Sequence, residues 1–172
     1  MPKAPNQIFF LSDNHNRNVL GCYGHPIVKT PTLDALAARG TRFTNAYCSS
    51  SLCVPSRASI ATGRYPHETG YWDNVIAYDG RVPSWMHHLR DAGHTVVSIG
   101  KLHYRSSEDD NGFTDEIVPL HIVDGVGGLV GLLRWSEPPK IGFFDLYDKK
   151  SGVGETEYQA YDRTITEEAI KW

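Results

Sequence analysis

Cys53-Val54-Pro55-Ser56-Arg57-Ala58-Ser59-Ile60-Ala61-Thr62-Gly63-Arg64 is the stretch on which the fold turns. Proline is accepted in the first turn of a helix, where its missing N–H is no loss, and glycine stops a helix where the chain must turn left-handed. That punctuation predicts a short helix over Ser56–Thr62, begun after Pro55 and closed by Gly63. Cys53 then sits just before the helix. There it faces backbone N–H groups that lack a helical partner and the positive end of the helix dipole, a natural place for an anion. Arg57 follows Cys53 by four residues, so on a helix the two share a face. A guanidinium beside a nucleophile can grip an oxyanion through a forked, bidentate contact. The pairing suits attack on a sulfate or phosphate ester.

Outward from this helix the chain alternates between apolar runs and punctuated helices. Upstream, Gln7–Ser12 (QIFFLS) reads as a buried strand that ends in the polar loop Asp13-Asn14-His15-Asn16. Thr32–Arg39 (TLDALAAR) has helical spacing, a threonine N-cap candidate and Gly40 as a stop. Downstream, Pro83-Ser84 opens a helix over Trp85–Ala92 that ends at Gly93, and His94–Ile99 (HTVVSI) is a β-branched buried strand. Strand, helices and strand with glycine-rich joints predict an α/β domain with a largely parallel central sheet flanked by helices. Past Ser106 the pattern weakens. Glu108–Gly112 reads as a loop, Asp124–Gly131 as flexible or tightly turned, and Ser136–Gly154 holds no predicted element. Glu155–Trp172 reads as a helix whose pattern still runs at the last residue, which gives the expectation of a truncated domain.

Bulk composition narrows the class. With 172 residues, 40% hydrophobic and 22% charged, the chain has the make-up of a globular domain with a real core. A net charge of −3 offers nothing to nucleic acid or an anionic membrane, so neither is expected as a partner. No apolar run approaches the roughly 20 residues of a membrane span. The opening IFFL is shorter than the about 7–15 apolar residues of a secretory signal, which predicts a cytoplasmic protein. Three cysteines, Cys22, Cys48 and Cys53, make a disulfide framework a poor expectation.

Each candidate site residue has a plainer role open to it. A free cysteine is more often a small buried hydrophobe than a nucleophile. Cys48 and Cys53 could be paired as zinc thiolates, though the spacing is unusual and no second cysteine pair exists. A tyrosine-phosphatase-like loop requires five residues between cysteine and arginine, and here there are three. Asp13 and Asn14 bring two oxygen-bearing side chains to the end of the first predicted strand, which suits a hard divalent cation or simply a turn. Lys101 and His103 follow the second predicted strand at i, i+2. If extended geometry continues, a cation and an imidazole share one face; otherwise they are a solvated lysine and a surface histidine. Asn74 follows a turn at Gly70, and His121 and Asp124 are read as structural.

Cys-x-Pro-Ser-Arg followed by Thr-Gly-Arg, here Cys53, Pro55, Ser56, Arg57, Thr62, Gly63 and Arg64, resembles the signature of the type I sulfatases of the alkaline-phosphatase superfamily. Asn6–Asn14, Leu20–Gly24, Lys29–Asp34, Gly40–Tyr47 and Gly100–His103 resemble the same family in the same order, over roughly the first 105 residues. The resemblance implies an alkaline-phosphatase-like fold, of which this chain is the N-terminal part. It implies that a maturation enzyme oxidises Cys53 to formylglycine, whose hydrate attacks the sulfur of a small-molecule sulfate ester. Asp13 and Asn14 match the position of a pair that binds calcium, in some members magnesium, and the nucleophile's own oxygen at position 53 joins the metal. Arg57 and Lys101 would neutralise the sulfate oxygens, and His103 would hold or protonate the ester-side oxygen. Asn74 matches an asparagine that the choline-sulfatase and phosphonate-hydrolase branches set against the anionic group. A phosphonate monoester or phosphodiester hydrolase, or a noncatalytic remnant, are the other outcomes the resemblance leaves open. Asn14 stands where many relatives carry a second aspartate, and family members take further metal ligands, a histidine and a lysine from sequence beyond that seen here. Hence the expectation that 172 residues alone are inactive.

Overall fold

The computed structural model describes residues 5–122 and 153–172. Of the expectations above, those for Asp124–Gly131 and for most of Ser136–Gly154 lie outside the described residues. The chain divides into two compact units, one up to Tyr47 and one from Cys48 onward.

The first unit is built around helix α1, Pro31–Arg39. Its proline occupies the first helical turn, where no N–H is needed, and Thr30 stands at the cap position. The Thr30 hydroxyl does not cap; it donates to Asp34 Oδ1 at 2.8 Å and accepts from Gly21 N at 2.9 Å. Asp34 also accepts from Cys22 N at 2.6 Å, so one carboxylate ties the 3-10 turn Gly21–Tyr23 to α1. A side chain at position 21 would collide with it, since a Cβ there would lie 2.4 Å from Asp34 Oδ2. Gln7–Ser12 is not a strand. Its apolar residues stand open to solvent, Phe10 at 86% exposure. An apolar run becomes a strand only when a neighbour offers a ladder, and the sheet among the described residues, β1 with β2, does not include it.

The second unit holds helices α2 (Cys53–Thr62), α3 (Pro66–Thr69), α4 (Trp85–Asp91) and α5 (Glu157–Lys171) with strands β1 (Val97–Lys101) and β2 (Asp115–Leu120). Helix α2 begins earlier than its punctuation predicted, at Cys53 itself, with Pro55 inside the first turn. It ends where expected, at Gly63 in the left-handed region with φ 67°. Helix α4 starts from Ser84, whose hydroxyl accepts from His87 N in a capping box. The predicted strand His94–Ile99 is shifted to Val97–Lys101 and runs parallel to β2, Ile99 opposite Ile117. The α/β, parallel-sheet class therefore holds, with a sheet of two strands among the described residues.

The core of this unit gathers Ala58 and Ala61 of α2, Met86 of α4, Val96, and three tyrosines, Tyr71, Tyr78 and Tyr104. Tyr78 meets Tyr71 and Tyr104 edge to face, with ring centroids 5.5 and 4.8 Å apart, the arrangement aromatic quadrupoles favour. Val54, Ala77 and Ile122 form a second buried cluster beneath the start of α2. Helix α5 lies against the sheet: Tyr161 donates to the carbonyl of Val118 at 2.7 Å, and Ile165 packs over Gly100. Among the described residues no helix is long and apolar enough to cross a membrane.

Candidate active site

The start of α2 is where the chemistry gathers. A helix leaves its first N–H groups without helical partners, and burying them uncompensated is costly. Here Pro55 has none, and Ser56 N reaches the carbonyl of Leu52 at 3.1 Å. Val54 N donates to Asn74 Oδ1 at 3.0 Å, across 20 residues of chain. Leu52, at the cap position, offers no side-chain acceptor. The first-turn donor that remains among the described residues is the N–H of Cys53 itself. The cysteine is half-buried and unbridged, as is Cys22; Cys48 is unbridged and exposed. Of the unsatisfied N–H groups expected beside Cys53, those of Val54 and Ser56 are thus paired.

Arg57 lies one turn along α2 from Cys53, as the spacing required, and it is buried, with 9% exposure. Its Nη1 donates to the carbonyl of Lys101 at 2.7 Å and approaches that of Leu102 at 3.5 Å. The guanidinium therefore spends part of its fork on the end of β1, tying helix α2 to the segment that carries Lys101 and His103. That tie was not legible in the sequence, because it joins a side chain to a carbonyl more than 40 residues away.

The Gly-Lys-x-His segment does not stay extended. Gly100 adopts φ 95° and His103 φ 58°, and the β1–β2 register shifts between Ile99 and Lys101. The same-face argument for Lys101 and His103 rested on continued alternation, and it fails at that irregularity. Backbone bonds fix the segment instead: His103 N donates to Leu120 O at 2.7 Å, and Arg105 N to Tyr78 O at 2.8 Å. Lys101 and His103 are both half-buried. Between His103 and Arg105, burial pushes the Tyr104 phenol well above its ordinary pKa, with the neighbouring Tyr78 adding to the shift. Tyr104 is thus a neutral wall behind the segment.

A second polar cluster lies beside β2. Glu116 accepts from Asn111 Nδ2 at 2.9 Å and from Ser107 Oγ at 2.9 Å, and His121 Nε2 stands 3.0 Å from its carboxylate. Burial pushes the Glu116 carboxyl upward, but the bonds from His121, Asn111 and Ser107 outweigh it and leave the pKa below its ordinary value. His121 is a structural partner here, as the sequence suggested; Asp124 lies outside the described residues.

Asp13 and Asn14 occupy an exposed turn of the first unit, with Asn14 in the left-handed region at φ 57°. A carboxylate and an amide oxygen side by side are the donors a hard cation takes, but two are fewer than the about six to eight that calcium gathers. Among the described residues no three or more His, Cys, Asp or Glu side chains converge as a metal site. The donor chemistry fits calcium or magnesium, but two donors are too few to hold either ion alone.

Comparison with known proteins gives the family. The sequence profile of the sulfatase family matches residues 5–172. The chain belongs to the sulfatase family. The match runs well past the first 105 or so residues on which the resemblance was read. Similar proteins include the N-acetylglucosamine-6-O-sulfatase of Bacteroides thetaiotaomicron, 40% identical over 101 residues, which are 59% of this chain and 18% of that one. The choline-sulfatase of Rhizobium meliloti is 35% identical over 113 residues, 66% of this chain and 22% of that one. Human arylsulfatase A is 46% identical over 79 residues, 46% of this chain and 16% of that one. A solved structure of a protein in complex with its substrate D-glucosamine-2-N,6-O-disulfate superposes with a TM-score of 0.62 at 38% identity, over 66% of this chain and 23% of that one. This sulfatase chain spans about a fifth of the length of the curated relatives it matches.

Proposed function

We propose that this chain carries the nucleophile-bearing part of a hydrolase that cleaves small-molecule sulfate esters. The observation that carries the reading is the opening of α2: Cys53 at the first helical position, and Arg57 one turn on, bonded to the carbonyl of Lys101. Membership of the sulfatase family supports the same reading.

Cys53 serves after conversion to formylglycine by a maturation enzyme, the chain's expected protein partner. The hydrated aldehyde supplies a nucleophile that can release the transferred group without water having to attack a stable ester. The residues around it do the rest. The N–H of Cys53, at the positive end of α2, favours negative charge at this position. Lys101 brings a compact cation to neutralise the oxygens of the transferring group. His103 sits two residues beyond it, where an imidazole can hold or deliver the proton that the departing alcohol needs. Arg57 holds the Lys101 segment against α2. Asp13 and Asn14 would contribute oxygen ligands to a calcium or magnesium ion, whose chemistry is Lewis-acid polarisation of the sulfate.

Two measurements on the protein as its gene encodes it test this. After co-expression with a formylglycine-generating enzyme, the peptide containing Cys53 is expected to be lighter by about 18 Da, the difference between cysteine and the aldehyde. Sulfate release from p-nitrophenyl sulfate is expected to exceed release of phosphonate from the matching phosphonate monoester. An unmodified thiol beside a working maturation enzyme, or preference for the phosphonate, refutes the assignment.

A further inference from the structure

Asn74 reaches the start of α2 through its carbonyl oxygen, which accepts from Val54 N at 3.0 Å. Helix α2 lacks a cap of its own, since Leu52 stands at the N-cap position without an acceptor side chain. Asn74 supplies from a distant loop what serine or aspartate supplies locally in other helices. Asparagine is a good acceptor for this purpose, and here the bond fixes the residue directly after the nucleophile.

The loop that presents Asn74 is itself pinned. Asp73 is buried at 3% exposure and accepts from Val75 N at 2.9 Å and Ile76 N at 3.2 Å, closing a tight turn around position 74. Upstream, fully buried Tyr71 donates to Asp79 Oδ1 at 2.7 Å. Downstream, Ala77 packs with Val54 in the buried cluster under the same end of the helix. The Asn74 loop and the start of α2 are thus joined by the polar bond from Val54 to Asn74 and by the apolar packing of Val54 with Ala77.

We propose that Asn74 is a positioning residue: it caps α2 in trans and holds the backbone from which Cys53 projects, rather than recognising the sulfate through its own amide. This rests on the hydrolase reading of Cys53. An amide oxygen already committed to a backbone N–H is the group a cap requires, whereas a sulfate would be met by the Nδ2 donor. The two roles therefore respond in opposite ways to one substitution. N74D keeps an acceptor for Val54 N, and a carboxylate suits a helix N-terminus, but it loses the donor and sets a negative charge toward an anionic substrate.

The test compares N74A and N74D in the protein as its gene encodes it, with circular dichroism to confirm that each folds. Amide exchange at Val54 is expected to quicken about tenfold or more in N74A and to stay close to the unsubstituted rate in N74D, in line with the loss of one helix cap. For p-nitrophenyl sulfate, N74A is expected to lower kcat about tenfold with KM within about twofold, and N74D to recover most of that loss. Two results overturn the proposal: unchanged exchange at Val54 in N74A, or an N74D enzyme as poor as N74A with a raised KM. Should the unsubstituted protein release no sulfate, the hydrolase reading falls separately, and the exchange rates alone decide the cap.

Discussion

Arg57 shows how much a single side chain's surroundings change its meaning. Read from spacing, it is a clamp for an anion; in the fold it is buried and bonded to the carbonyls of Lys101 and Leu102. Replacing it with lysine keeps the charge but loses the planar fork, and half-buried carbonyls left unpaired cost up to about 1–3 kcal/mol. R57K is therefore expected to lower the melting temperature, read by calorimetry, together with kcat for p-nitrophenyl sulfate. A clamp acting only on substrate predicts loss of activity at unchanged stability. Cys53 gives the complementary case. It is half-buried at the first position of α2, a place serine occupies comfortably, so C53S is expected to keep the native circular dichroism spectrum while sulfate release is lost.

Elements differ in how plainly their sequences announce them. Helix α2 is legible because proline and glycine bracket it, although that punctuation predicts its start three residues late; Pro55 occupies the first turn rather than preceding it. Strand β2 was not legible, because Pro119 sits inside a six-residue run and proline cannot donate to a ladder. The β1–β2 register is irregular there, with Val118 at φ 43°, so the alternation that betrays a strand is broken. The bonds from Val54 N to Asn74 and from Arg57 to the Lys101 carbonyl are not legible for another reason: each joins a side chain to a distant backbone atom and leaves no periodic trace. Two predictions belong at this scale. Gly100 has φ 95°, and a Cβ there would lie 2.7 Å from Ile165 Cδ1. G100A is expected to destabilise by about 1–3 kcal/mol, and I165A to relieve the collision but not the backbone strain, as chemical denaturation of the double variant can show. The second concerns Glu116, whose carboxyl the bonds from His121, Asn111 and Ser107 hold below its ordinary pKa despite burial. A carboxyl depressed in the folded state contributes stability above its unfolded pKa and loses it as pH falls through the folded value. E116Q should flatten the acid limb of a stability–pH profile below about pH 4.5, with little change in its shape near neutrality.

For the whole molecule, the residues proposed for the site fall in both compact units. The unit from Cys48 onward carries Cys53, the proposed nucleophile, with Arg57, Asn74, Lys101 and His103, while Asp13 and Asn14 belong to the unit that ends at Tyr47. Two oxygen ligands bind a divalent cation weakly by themselves. Hydrolysis by the protein as its gene encodes it is expected to stop on treatment with a chelator and to return with added calcium. D13A is expected to raise the calcium concentration required for half-maximal rate at least about tenfold, since it removes the charged member of the pair.

The solvent-facing Ile8, Phe9, Phe10 and Leu11 carry a practical consequence. Four adjacent apolar residues with strong sheet propensity and no charge among them form the kind of segment that stacks against its own copies. A solution of these 172 residues should scatter more light as its concentration rises, and lysine at position 9 should keep it clear. Handling the protein thus begins with its least catalytic stretch.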